Sequence, residues 1–198
     1  MKKWVCVFCA SAEGESWEYM EQARVMGRAI AGRGHGLVYG GATVGTMGAV
    51  ADAALRAGGE VVGVIPDVLM ERELGHARLT ELHVVRTMHE RKALMAERAD
   101  AFVALPGGFG TLDEFIEILT WAQLRIHTKP CVLVNVLGYY DGLLEFLETA
   151  VARGFLKREN FELIKVAGNA DVALDAVERA WAAEGEVAGD ARMGKLVE

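Results

Sequence analysis

The chain has 198 residues, 52% of them hydrophobic and 25% charged, the balance of one ordinary globular domain with a sizeable buried core. A net charge of −7 argues against a general binder of nucleic-acid backbones, and every apolar run is broken by Arg, Glu or Gly before it reaches membrane-spanning length. Met1-Lys2-Lys3-Trp4 leads into a short apolar run, without the longer core and small-residue cleavage site of a secretory signal, so a cytoplasmic location is expected.

Along the chain, apolar runs rich in β-branched residues alternate with segments of helical periodicity. The pattern predicts strands over Val5–Cys9, Gly36–Tyr39, Val61–Ile65, Leu82–Arg86, Ala101–Leu105 and Cys131–Val136. Their nearly continuous apolar character suits strands buried on both faces. Helices are predicted over Trp17–Arg33, Thr46–Ala57, Met88–Arg98, Leu112–Arg125, Asp141–Arg153 and Ala170–Ala183. This alternation argues an α/β, Rossmann-like, doubly wound parallel sheet flanked by helices on both faces. Residues 1–183 form the one domain, and residues 184–198, weak in periodicity, are expected to be a mobile C-terminal tail. Ligands of such sheets bind beyond the carboxyl ends of the strands.

The loops at those ends carry the chemistry. Cys6-Val7-Phe8-Cys9 has CxxC spacing, but both cysteines fall in or at the end of the first strand and no second pair exists for zinc, so buried packing is expected. The five histidines show no metal-binding spacing, and no metal or cofactor is expected. Ser11 follows the first strand, where its hydroxyl can reach a ligand. After the second strand, Tyr39-Gly40-Gly41-Ala42-Thr43-Val44-Gly45-Thr46-Met47-Gly48 is a glycine-rich turn that opens a helix. It has neither the dinucleotide nor the Walker order. The segment Pro66–Thr80, which includes Glu73, is long for a connection and reads as a binding loop or lid.

Met88-His89-Glu90-Arg91-Lys92 opens a helix with two cations in its first turn, against the helix dipole. Arg91 falls between Leu94 and Met95 on the inward arc, which an anionic partner explains better than a snorkelling side chain does.

The densest signal is Pro106-Gly107-Gly108-Phe109-Gly110-Thr111-Leu112-Asp113-Glu114. Its glycines allow close approach of backbone to ligand, and the helix start supplies unpaired N–H groups and a positive dipole end, a cradle for phosphate. Two glycine turns at one sheet edge favour a nucleotide lying across both. Thr111-Leu112-Asp113-Glu114 also fits a capping box, a purely structural reading of Glu114. Against that reading, Leu112, Phe115, Leu119 and Ala122 form one apolar arc that Ile118 and Trp121 widen towards Glu114. An arc so wide wants a second buried surface, most simply a partner subunit.

Together these segments resemble the Lonely guy family of cytokinin riboside 5′-monophosphate phosphoribohydrolases. The family pattern PGGxGTxxE is matched in full at 106–114, and Met88-His89-Glu90-Arg91-Lys92-Ala93 resembles its second signature. The turn at 40–48 is similar to the family's GGGxxGLMG, with Ala42 for the third glycine and Thr46 for leucine. Cys9-Ala10-Ser11 stands where the family has a Gly-Ser-Ser-like stretch.

The resemblance implies a single nucleotide-binding catalytic domain that cleaves the N-glycosidic bond of N6-substituted adenine riboside 5′-monophosphates, and AMP. Arg91 and Glu114 would be the catalytic pair. Gly107, Gly108, Phe109, Gly110 and Thr111 would hold the 5′-phosphate. Ser11, Gly41, Gly45, Glu73, Met88, Lys92 and Thr120 would complete the substrate site. It also implies a homodimer with sites near the subunit interface, and no nucleic-acid or membrane partner. Relatives labelled lysine decarboxylase would need a lysine poised to form a Schiff base with pyridoxal phosphate, and no lysine here has such a setting. A broader purine nucleotide nucleosidase is the nearest alternative. A non-catalytic carrier, of the kind that holds molybdenum cofactor with similar turns, is the alternative from another class, though a carrier has no need of Arg91 with Glu114.

Overall fold

The computed structural model describes the backbone of residues 2–70 and 75–194, with side chains through residue 183 of the last helix. Among these residues seven strands form one parallel sheet: β1 (Trp4–Phe8), β2 (Gly36–Tyr39), β3 (Val61–Pro66), β4 (Glu81–Val85), β5 (Ala101–Ala104), β6 (Cys131–Val134) and β7 (Ile164–Ala167). Their spatial order is β4-β3-β2-β1-β5-β6-β7. The helices are α1 (Trp17–Gly32), α2 (Gly45–Arg56), α3 (Asp67–Met70), α4 (Met88–Arg98), α5 (Phe109–Gln123), α6 (Asp141–Ala152), α7 (Arg158–Phe161) and α8 (Ala170–Gly194).

Strand alternation sorts the core into two layers. Val5 and Val7 of β1 pack with Met26 and Ile30 of α1, Val50 and Ala54 of α2, and Leu174 and Val177 of α8. Cys6 and Phe8 point the other way, onto Met95 of α4, Phe115 and Ile118 of α5, and Tyr140. Helices therefore cover both faces, as the apolar runs required.

The strand order reverses between β1 and β5, so the loops leaving these two neighbours diverge and open a crevice at their carboxyl ends. The loop after β1 and the glycine turn after β5 form its walls, and the turn after β2 lies alongside.

Six strands and six helices stand close to where the sequence puts them. β7 escapes the sequence reading because Lys165 interrupts its apolar run and its middle is exposed. The short α3 and α7 are also unforeseen. The loop expected over Pro66–Thr80 begins as the end of β3 and α3, and Gly75 makes an antiparallel bridge to Ala42. The last helix continues past Ala183 to Gly194. Both outermost strands carry charge: on β4, Glu81 accepts from Arg98 at 3.0 Å and pairs with His83 at 2.9 Å; on β7, Lys165 is exposed.

Candidate active site

Helix α5 begins at Phe109, three residues before its predicted start, with Gly108 as N-cap and no side-chain cap. Thr111 therefore lies inside the first turn, and the capping box that is the alternative reading of Thr111 and Glu114 is out of register. The first-turn N–H groups of Phe109, Gly110 and Thr111 have no intrahelical carbonyl to take them. Thr111 is buried, and its Oγ1 has no hydrogen-bond partner among the described residues. A Cβ on Gly107 would lie 2.1 Å from that Oγ1, so only glycine fits there. Gly108 and Gly110 differ, because nothing lies within 4 Å of where their Cβ atoms would sit. Packing does not demand those two glycines, whereas a ligand approaching the backbone would.

Helix α4 starts with a cap of its own. The Thr87 hydroxyl accepts from the Glu90 N–H at 3.1 Å, and the Glu90 carboxylate accepts from the Arg86 N–H at 2.8 Å. This start turns Arg91 inward, where only 5% of it is exposed. Its Nη2 lies 3.4 Å from the Gly40 carbonyl and 3.5 Å from Oε1 of Glu114, itself only 6% exposed. The Arg91 Nε is buried with no partner among the described residues. An ion pair so far from water is weak evidence for stability, because desolvation offsets its attraction.

Arg91, Glu114, Gly108, Gly110 and Thr111 line one cavity of about 270 Å³ together with Ser11, Met47, Met88 and Phe109. Four of the expected phosphate-loop positions thus meet the expected catalytic pair, with Ser11 and Met88 at the rim. Phe109 is 94% exposed, so its backbone faces the cavity while its ring stands in solvent.

The turn after β2 plays another part. The N–H groups of Thr46 and Met47, at the start of α2, donate to the carbonyls of Ala12 and Ala10 at 3.3 and 3.1 Å. The Thr46 hydroxyl both accepts from the Ala10 N–H at 2.8 Å and donates to its carbonyl at 3.1 Å. The start of α2 therefore holds the loop after β1. Gly45 abuts the Ser11 backbone and lines a neighbouring cavity of about 580 Å³. Gly41, buried with φ +81°, gives its carbonyl to the His76 N–H at 3.0 Å. Neither glycine lines the cavity of Arg91 and Glu114.

Lys92 points away from that cavity. Its Nζ lies 3.0 Å from both Asp113 and Glu117 of α5. Burial pulls its pKa down, but hydrogen bonds and charge from Glu117 and Asp113 outweigh that and leave it raised. Thr120 is exposed and donates to the Ile116 carbonyl at 2.8 Å, outside the cavity of this chain. Glu73 lies outside the described residues. Of the predicted arc on α5, Phe115, Ile118 and Ala122 are buried along with Thr111 and Glu114, while Leu112, Leu119 and Trp121 are half-buried. All three cysteines are buried and free. Burial, followed by the Glu114 charge, pushes the Cys6 and Cys9 thiols well up, and burial alone takes Cys131 to about 12. None is poised as a nucleophile.

Sequence reasoning missed Gly40 and Thr46 as parts of this site, and Tyr139 and Tyr140, whose hydroxyls donate to the Gly107 and Leu105 carbonyls of the turn after β5. The departure from the family pattern at position 46 is the one visible trace of this contact, because the Thr46 hydroxyl bonds only to backbone atoms of Ala10.

A protein of Rhodococcoides fascians named cytokinin riboside 5′-monophosphate phosphoribohydrolase is 56% identical to this chain over 155 residues, 78% of each. The chain belongs to the Lonely guy family. An Arabidopsis thaliana member of the same name is 48% identical over 160 residues, 81% of this chain and 74% of its own. A model described as "Possible lysine decarboxylase" matches residues 47–177 of this Lonely guy protein. No lysine among the described residues lines the cavity, so the chemistry in that description finds no Schiff-base amine there. Among solved structures, the molybdenum cofactor carrier protein of Chlamydomonas reinhardtii superposes with a TM-score of 0.70 at 23% identity, over 92% of this chain and 99% of that one. That likeness shows the shared fold.

Proposed function

We propose that this protein hydrolyses the N-glycosidic bond of cytokinin riboside 5′-monophosphates, and of AMP, releasing the free base and ribose 5-phosphate. The observation that carries this reading is the buried Arg91–Glu114 pair, 3.5 Å apart, in the cavity onto which the uncapped N-terminus of α5 opens.

Cleaving the bond builds positive charge on the ribose, as in glycosidases. The Glu114 carboxylate stabilises that charge or orients the attacking water, whose hydroxyl ends on C1′ while its proton leaves with the base. Arg91 anchors Glu114 and the substrate. The N–H groups of 108–111 and the Thr111 hydroxyl take the 5′-phosphate, so binding energy remote from the reacting carbon positions it. Substrates lacking the phosphate are therefore poor.

The functional unit is a homodimer. Ile116 on α5, Leu124 just past its end and Phe146 on α6 are exposed, leaving apolar side chains for a second copy to cover. Thr120, exposed on α5, reaches a nucleotide only across such an interface.

Chromatography of AMP and isopentenyl-AMP digests tests the reaction. Free base and ribose 5-phosphate are expected, and intact nucleotide at high enzyme concentration would sink the proposal. Glu114→Gln should lose about 10²–10⁴ in turnover while still binding nucleotide. An active variant would reduce Glu114 to a structural residue. Rates on AMP, GMP and isopentenyl-AMP side by side separate a cytokinin enzyme from a broader purine nucleotide nucleosidase.

A further inference from the structure

The turn between β6 and α6 holds its backbone in an unfavourable conformation next to the phosphate loop. Leu137 has φ +52°, a left-handed conformation rare for a branched side chain, and Gly138 follows at φ +71°. A Cβ on Gly138 would lie 2.5 Å from an Asp141 carboxylate oxygen. Asn135 locks the turn: its Oδ1 accepts from the Tyr140 N–H and its Nδ2 donates to Asp141, both at 2.7 Å. Strain of this kind persists where the surrounding structure over-determines it, and such places are often functional.

The turn delivers two consecutive tyrosines to the carbonyls on either side of Pro106. The Tyr140 hydroxyl donates to Leu105 O at 2.7 Å, and the Tyr139 hydroxyl donates to Gly107 O at 2.8 Å. Pro106 has no N–H of its own with which to anchor this stretch. The two rings meet edge to face at 4.9 Å, and Tyr19 of α1 braces Tyr139 from the other side at 5.7 Å.

In a trans peptide the carbonyl and the following N–H point in opposite directions. Holding Gly107 O back against Tyr139 therefore turns the Gly108 N–H away from the tyrosines, and Gly108 lines the cavity. We infer that Tyr139 is a positioning residue for phosphate. Its hydroxyl fixes the Gly107–Gly108 peptide so that the Gly108 N–H joins the first-turn N–H groups of α5 in one anion cradle. This rests on the proposed reading of that turn as the 5′-phosphate site.

Tyr139→Phe removes the hydroxyl and keeps the ring contacts with Tyr19 and Tyr140. The expected result is a roughly 3- to 10-fold rise in KM for the nucleoside 5′-monophosphate, the scale of one lost hydrogen bond, with kcat little changed. The Kd of ribose 5-phosphate, measured by calorimetry, should weaken by the same factor, while slow hydrolysis of the phosphate-free riboside stays as in wild type. An unchanged ribose 5-phosphate Kd, even with a lowered melting temperature, would overturn the inference by leaving the hydroxyl a brace of the fold only. So would an equal loss on riboside and nucleotide. A wild-type protein that binds ribose 5-phosphate but releases no base would defeat the hydrolase reading alone, and the calorimetric comparison would still decide the role of Tyr139.

Discussion

Arg91 shows how one residue's setting depends on residues far along the chain. Its place on the inward arc of α4 follows from helical period alone and is readable from the sequence. What faces it is not, because Gly40 is brought there only by the folded sheet. A Cβ at position 40 would fall 2.1 Å from Arg91 Nη2 and 2.9 Å from Met47 Sδ. Gly40→Ala should therefore push the guanidinium off Glu114 and lower kcat by about 10²-fold, the cost of misplacing a catalytic group by about 1 Å, with a modest loss of melting temperature. Wild-type turnover in that variant would show that Arg91 tolerates displacement. Thr46 was hidden for the same reason: its partner, Ala10, is far away in sequence and carries no side-chain signal.

Among the elements, the decisive relation is between α4 and α5, which carry Arg91 and Glu114. Lys92 is the neighbour of one and Asp113 of the other, and the Lys92 ammonium ties both Asp113 and Glu117 to α4 at 3.0 Å. The resemblance makes Lys92 a ligand contact, whereas its ion pairs suit a clamp between helices. Lys92→Met keeps the stem and deletes the charge. As a clamp it should cost about 1–2 kcal/mol in stability, discounted because Asp113 is largely exposed, and lower kcat while the nucleotide Kd holds. A weakened Kd with unchanged melting would return Lys92 to the substrate. Because its folded pKa is raised, the clamp's contribution is fully present below the ordinary lysine value and is lost only as pH rises through the raised one.

The start of α5 was misplaced in the sequence reading for a related reason. Thr111-Leu112-Asp113-Glu114 mimics a capping box that would start the helix at Leu112, and Gly108 and Gly110 are poor helix formers, yet the observed helix begins at Phe109. β7 was unreadable because an edge strand with Lys165 at its centre has no continuous apolar run.

For the molecule as a whole, the doubly covered sheet was the most legible feature, because strands such as Ala101–Ala104 are buried along their whole length and the sequence shows it as unbroken apolar runs. The same burial makes the cysteines reporters of global integrity. With folded pKa values raised, the three thiols stay protonated well above pH 8.5, and the stability this burial contributes is fully present below that ordinary thiol range and is lost as pH rises beyond it through the raised folded values. At pH 8 the native protein should resist a thiol-reactive dye, with all three cysteines reacting once guanidinium unfolds it. Rapid labelling of the native protein would show that the layers open locally.

The charged outer strands have a further consequence. A foreign strand seeking to pair with β4 would have to strip water from Glu81, His83 and Arg98, and one approaching β7 would meet Lys165. Edge-to-edge growth, the route by which open sheets seed fibrils, is thereby discouraged at both ends. Copies of this chain are left with their helical faces as the surfaces through which to meet, and each sheet ends where its own chain ends it.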